Sequence, residues 1–168
     1  MPAALSLLLA GVFLASGAAK LRDPAGMVVL VRRVLAPTVP AFALTRTLAA
    51  TEVVLGAVLL TGIAPRVGAV VAAGALVAFT VLLRLAARRA PAALASCHCF
   101  GGAGDAPPAQ ALVRNLVLVV AAAVVVAWPP AASWELGTQE LAGALTVAAG
   151  LSCAWLLATA LRRLVVVP

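Results

Sequence analysis

The chain has 168 residues, 65% of them apolar and 10% charged, with 12 basic and 5 acidic side chains for a net charge of +7, and its mean hydropathy is +1.18. Soluble domains run at roughly 45–50% apolar and about 25% charged, and a chain this short has too little interior to hide the excess; an ordinary water-soluble domain is excluded and lipid is the expected solvent. The basic residues are too scattered for a nucleic-acid footprint, while three cysteines and one histidine exclude a multi-bridge disulfide scaffold and make a four-ligand zinc site barely feasible.

A helix needs about 20 mostly apolar residues to cross the hydrocarbon core, and the pattern predicts five spans, at about 3–20, 41–63, 66–87, 111–128 and 141–161. The first ends in Ala15-Ser16-Gly17-Ala18-Ala19, small residues of the kind a signal peptidase cuts. Signal peptides carry their positive charge before the apolar run, whereas Lys20 and Arg22 follow it, so a retained helix is expected. Between the first two spans, the segment 25–36 contains Met27 to Leu35, too short to cross. It reads as a short helix at the interface with Arg32 and Arg33 towards headgroups; the alternative is an apolar connecting loop. The expectation is a single integral membrane domain over 1–168, an all-α polytopic helical bundle.

With five spans the loops alternate sides. Lys20, Arg22, Arg32, Arg33, Arg46, Arg84, Arg88, Arg89, Arg114, Arg162 and Arg163 fall on one side and only Arg66 on the other. The positive-inside rule then puts the N-terminus outside and the C-terminus in the cytoplasm of a cell membrane. Small residues are abundant enough to permit close helix contacts, although alanine and valine abundance alone does not demonstrate them.

Glu52 lies near the middle of the second span, where a carboxylate costs several kcal/mol unless neutral or paired, so it should face the bundle interior. Candidate partners are Arg46, Lys20 and Arg114. Arg46 precedes Glu52 by six positions, some 240° of helical rotation, so a partner from another helix is favoured. The alternative is a protonated Glu52 acting as packing glue. Arg114 and Asn115 open the fourth span; the arginine either snorkels to headgroups or offers charge to Glu52 or to the preceding loop. Lys20 likewise reads as a boundary residue or as a partner for Glu52.

The loop at about 88–110 contains Ser96-Cys97-His98-Cys99-Phe100-Gly101-Gly102. Two cysteines one residue apart beside glycines can exchange between dithiol and a strained, readily reduced disulfide, and His98 with Arg88 and Arg89 would favour the attacking thiolate. Two incidental small residues, or a metal site, are the competing readings, although no second Cys/His pair completes a tetrahedron. Cys153, in the fifth span, reads as a packed small hydrophobe, with a third relay thiol as the alternative.

Taken together, these residues resemble a known family. Ser16-Gly17-Ala18-Ala19-Lys20-Leu21-Arg22-Asp23-Pro24 is similar to the S-G-x-x-K-L-x-D signature of DoxX-like membrane proteins, and Glu52 with Gly56 matches their second helix. Cys97-His98-Cys99-Phe100-Gly101 followed by Arg114-Asn115 resembles the C-x-C-F-G and R-N elements of the MauE branch, the methylamine-utilisation proteins. The resemblance covers roughly residues 5–128. It implies a four-helix DoxX-like core, to which a fifth C-terminal transmembrane helix is added, and a role in thiol redox chemistry. MauE-like proteins are linked to disulfide formation in the small subunit of methylamine dehydrogenase beside a thioredoxin-like partner, and DoxX relatives include quinone-linked subunits. Carried across, Cys97 and Cys99 would be the redox pair, and Glu52, Lys20, Arg114 and Asn115 the polar lining near it. A quinone is the cofactor this leaves in view. Whether the chain is itself catalytic stays open.

Charge bias places the cysteine loop on the cytoplasmic side, whereas maturing an exported disulfide protein needs redox power outside. Electrons could pass through the bundle, the loop could dip into a protein-lined cavity through the apolar stretch 90–96, or the topology could be inverted. A reading of a different class makes the chain a small-molecule carrier or non-catalytic assembly subunit with Glu52 as its intramembrane ligand.

Overall fold

The computed structural model describes residues 2–35, 38–89, 108–131 and 135–150. These form five helices, α1 (Pro2–Arg22), α2 (Ala25–Val34), α3 (Ala41–Thr61), α4 (Pro65–Arg89) and α5 (Pro108–Ala127), and a further helical stretch over 138–150. Among the described residues there is no strand. Every regular element among the described residues is a helix, and α1, α3 and α4 are each long and apolar enough to cross a membrane. In α5 the apolar stretch is shorter, Ala111–Ala127. The segment expected at 141–161 is described only as far as residue 150.

Short connections set the path. The Asp23 amide donates to the Ala19 carbonyl (2.9 Å) at the end of α1, and the Asp23 carboxylate accepts from the Ala25 amide (3.2 Å). Pro24, with its φ fixed and no N–H to lose, then opens α2. Gly62 ends α3 in the left-handed region at φ 67°, where a residue without Cβ is unstrained; its amide donates to the Val58 carbonyl at 3.0 Å, and α4 follows at Pro65.

Four helices pack in a ring, α1 against α3 and α5, and α4 against α3 and α5, with the α1–α3 and α4–α5 pairs the most extensive. Their shared core includes Leu9, Phe13, Leu55, Leu59, Leu76, Leu118 and Val125, interleaved with Ala10, Ala69, Ala72, Ala121 and Ala122. Small side chains matter here because lipid tails are as apolar as leucine, so helix association depends on close approach. The closest approach is between α1 and α3. A Cβ on Gly17 would lie 2.7 Å from Val53 Cγ2 and 2.8 Å from the Ala49 carbonyl oxygen, and one on Gly56 would lie 2.7 Å from Leu14 Cγ and 3.0 Å from the Ala10 carbonyl oxygen. Residues near the start of α1 thus meet the end of α3, as the Ser6 hydroxyl donating to the Leu59 carbonyl at 3.1 Å also shows. The pair is antiparallel.

Helix α2 falls within the segment read as interfacial. Met27, Leu30, Val31 and Val34 are buried in a second cluster with Ala41 and Ala86, flanked by Leu82 and Leu85, while Arg32 and Arg33 are exposed. Its apolar stripe therefore rests on α3 and α4, not on lipid.

Candidate functional site: a buried ion pair at the centre of the helix ring

The Gly17 and Gly56 contacts bring the facing turns of α1 and α3 together, and that closeness builds the site. Side chains on a helix lean towards its N-terminus. Lys20, at the last turn of α1, therefore runs back along its helix, and its ammonium donates to the Ser16 hydroxyl one turn earlier (2.5 Å). There it meets Glu52 from the middle of α3, donating to Oε1 at 2.9 Å and Oε2 at 2.7 Å. An ammonium has three N–H donors, and Ser16 with the two carboxylate oxygens supplies an acceptor for each. The ammonium also lies 4.8 Å from the centroid of the Phe79 ring on α4, within cation–π range.

Burial makes this pair unusual. Lys20 is 2% exposed and Glu52 4%, so two charges leave water together and satisfy each other. Glu52 faces the interior and takes its partner from another helix, as its mid-span position requires. Of the three candidate partners, the structure pairs it with Lys20. Arg46 is exposed, its guanidinium 5.6 Å from the Phe42 ring centroid. Arg114 is half-buried and does not line the cavity beside the pair. Lys20 is thus not a boundary residue, and its charge does not join those that face the aqueous edge.

That cavity has a volume of about 20 Å³ and is lined from all four helices of the ring, with Phe13 and Ser16 of α1, Glu52 of α3, Leu76 and Phe79 of α4, and Asn115 of α5 among its walls. It is about the size that holds one water. Asn115 is 2% exposed, and its amide donates to the Thr80 hydroxyl at 3.3 Å; that hydroxyl donates in turn to the Leu76 carbonyl at 2.8 Å. Lys20, Glu52 and Asn115 are therefore brought to one place. Cys97, His98, Cys99 and Cys153 lie outside the described residues. Among the described residues no group of His, Cys, Asp and Glu is placed to hold a metal ion.

Reading the sequence residue by residue missed Phe79 and Thr80 altogether, and Ser16 entered only as part of a motif. The spacing of Ser16 and Lys20, four apart on one helix face, is the signal that could have found the first contact. Nothing local marks Phe79. A larger, open cleft of about 520 Å³ lies at the other end of the ring, between Pro2–Ala4, 129–131, Leu136 and the stretch 138–150, with Glu140 the one ionisable residue among the described residues of its wall. It is remote from the polar centre.

No curated protein and no solved structure matches the chain. A family model does, that of methylamine utilisation protein MauE, over residues 1–129. The match takes in every helix of the ring, the Lys20–Glu52 pair and the Cys97-His98-Cys99 segment, and it supports a part in methylamine utilisation in the broad sense. This membrane-helical chain belongs to the MauE family.

Proposed function

We propose that this chain is the multi-pass membrane component of a thiol–disulfide pathway serving methylamine utilisation, with Cys97 and Cys99 as its redox pair. Its client would be a partner such as the small subunit of methylamine dehydrogenase, whose maturation requires disulfide formation. The observation that carries this reading is that the family match, 1–129, contains the chain's Cys-x-Cys sequence.

A client thiolate attacks one sulfur of the Cys97–Cys99 disulfide, forming a mixed disulfide and releasing the other cysteine as a thiolate, which takes up a proton. A second client thiolate attacks the client sulfur of the mixed disulfide and frees the second cysteine. The client dithiol has lost two electrons and two protons, and Cys97 and Cys99 hold both. A disulfide on a thioredoxin-like partner restores the pair by the reverse exchange. His98, with Arg88 and Arg89 at the end of α4, favours the thiolate form.

The ion pair serves this chemistry by position. Helix α4 ends and α5 begins at the same end of the ring where Lys20 joins α1 to α3, so the pair fixes the other two helices of the ring at the end from which the cysteine segment departs. A quinone does not fit the polar centre, because about 20 Å³ is room for a water and not for a ring. The same volume weighs against a solute carrier centred on Glu52, both of whose carboxylate oxygens are engaged by Lys20.

In the membrane, α5 and 141–161 would supply the fourth and fifth spans of a DoxX-like four-plus-one bundle, with the N-terminus outside and the C-terminus cytoplasmic; direct exchange with an exported client then requires the cysteine segment to dip into the bundle through the apolar stretch 90–96. The test is a Cys97→Ser, Cys99→Ser double variant in cells that grow on methylamine. Loss of growth, with the client accumulating free thiols, is expected. Normal growth with a fully oxidised client would refute the redox reading, and loss of function in a Glu52→Gln protein that still folds, while the cysteine variant stays active, would move the case to the carrier.

A further inference from the structure

Charge is distributed very unevenly between the two ends of the helix ring. Arg22 at the end of α1, Arg32 and Arg33 on α2, Arg46 in the first turns of α3, and Arg84, Arg88 and Arg89 at the end of α4 are all exposed and share one end. Among the described residues, Asp23 is the only carboxylate at that end besides Glu52, which Lys20 already occupies. Seven arginines against one aspartate leave +6. At the other end exposed Arg66 stands against exposed Glu135 and Glu140, leaving −1.

The basic end is also built to stay where it is. Helix α2 is fixed by its buried apolar stripe, and the Arg89 guanidinium donates to the Val34 carbonyl at 3.3 Å, tying the last turn of α4 to the last turn of α2. Arg84 and Arg88 are four apart on one face of α4, a like-charge spacing that is unfavourable without a counter-charge. Between these arginines, exposed apolar side chains are interspersed: Leu21 (40%), Val29 (44%) and Leu35 (37%). Arginines alternating with exposed aliphatic groups at the end of apolar helices match the boundary where phosphates meet acyl chains.

We propose that this rim is a binding surface for anionic phospholipid, its arginines pairing with headgroup phosphates while Leu21, Val29 and Leu35 contact the first acyl carbons. The basic charge is then more than an orientation signal: it gives the protein a lipid preference. Each arginine near an anionic leaflet strengthens attraction about fivefold.

The test uses the full chain purified in a neutral detergent and titrated with phosphatidylglycerol or phosphatidylcholine, with bound lipid counted by native mass spectrometry. Phosphatidylglycerol is expected to bind in preference. The preference should fall about fivefold for each arginine removed in Arg32→Gln, Arg33→Gln and Arg88→Gln, reaching about a hundredfold in the triple variant, while Arg66→Gln leaves it unchanged. Should the triple variant not fold, by circular dichroism, the single variants carry the same test. Equal retention of the two lipids overturns the proposal and leaves the rim for an acidic protein. Equal loss in Arg66→Gln, or displacement of phosphatidylglycerol by inorganic phosphate at similar concentration, also overturns it.

Discussion

Replacing Lys20 by methionine removes one charge from a site too buried for bulk solvent to compensate the other. At 2.7 Å and an effective dielectric constant of about 20, the gross attraction is about 6 kcal/mol. Desolvation costs several kcal/mol for each ion, so the net contribution of the intact pair to stability is small. Breaking it is another matter. Lys20→Met leaves Glu52 buried and uncompensated, at a cost of about 3–5 kcal/mol, and Glu52→Leu does the same to Lys20. The double variant Lys20→Met, Glu52→Leu replaces the pair by apolar side chains of similar volume and should recover most of that loss. Unfolding in mixed micelles of rising dodecyl sulfate content, followed by tryptophan fluorescence, measures all four corners of the cycle. The reasoning is refuted if either single variant costs less than about 1 kcal/mol, or if the double variant costs the sum of the two.

Gly17→Ala places a methyl group 2.7 Å from Val53 Cγ2 and 2.8 Å from the Ala49 carbonyl; overpacking of this kind costs about 1–3 kcal/mol, to be read from the same titration. Gly11→Ala, where a Cβ meets nothing within 4 Å, should be neutral or stabilise by about 0.5–1 kcal/mol through helix propensity alone. Leu9→Ala, truncating a fully buried side chain, is expected to cost about 2–5 kcal/mol by cavity formation. Thr80→Val removes the acceptor of a 3.3 Å hydrogen bond from Asn115 and should cost only about 0.6 kcal/mol, the average for such bonds between membrane helices; a loss above 2 kcal/mol would show that Asn115 depends on Thr80 more than the bond length implies.

What could be read from residues alone follows from how locally each feature is encoded. The apolar runs are long enough to announce α1, α3 and α4 without knowledge of their neighbours, and a short arginine-ended apolar run marked α2. Glu52 was legible because a mid-span carboxylate has few affordable surroundings, and helical rotation removed Arg46 as its partner. Lys20 was harder. Its Cα stands at the end of an apolar run, where a basic residue normally reaches for headgroups, but its side chain leans one turn back to Ser16 and into the ring. That direction depends on α3 lying close enough to offer Glu52, which depends on Gly17 and Gly56. The role of Phe79 depends on the same assembly, because a ring's nearness to an ammonium is set by packing between helices and leaves no spacing to detect. Gly17 and Gly56 entered only as motif positions, with nothing local to mark them as points of close contact; the distances to Val53 and Leu14 distinguish them in that respect from Gly11 and Gly74.

The central claim, that Cys97 and Cys99 cycle between dithiol and disulfide, is tested most directly by thiol trapping in intact cells. In a Cys153→Ser background, a membrane-permeant maleimide is applied with and without prior reduction, beside a parallel sample given a membrane-impermeant one, and the mass added to the chain is measured. Two permeant labels on the pair are expected after reduction and none before it, while the impermeant reagent reports the accessible side of the membrane. Two labels without reduction, unchanged when methylamine metabolism is induced, would contradict it.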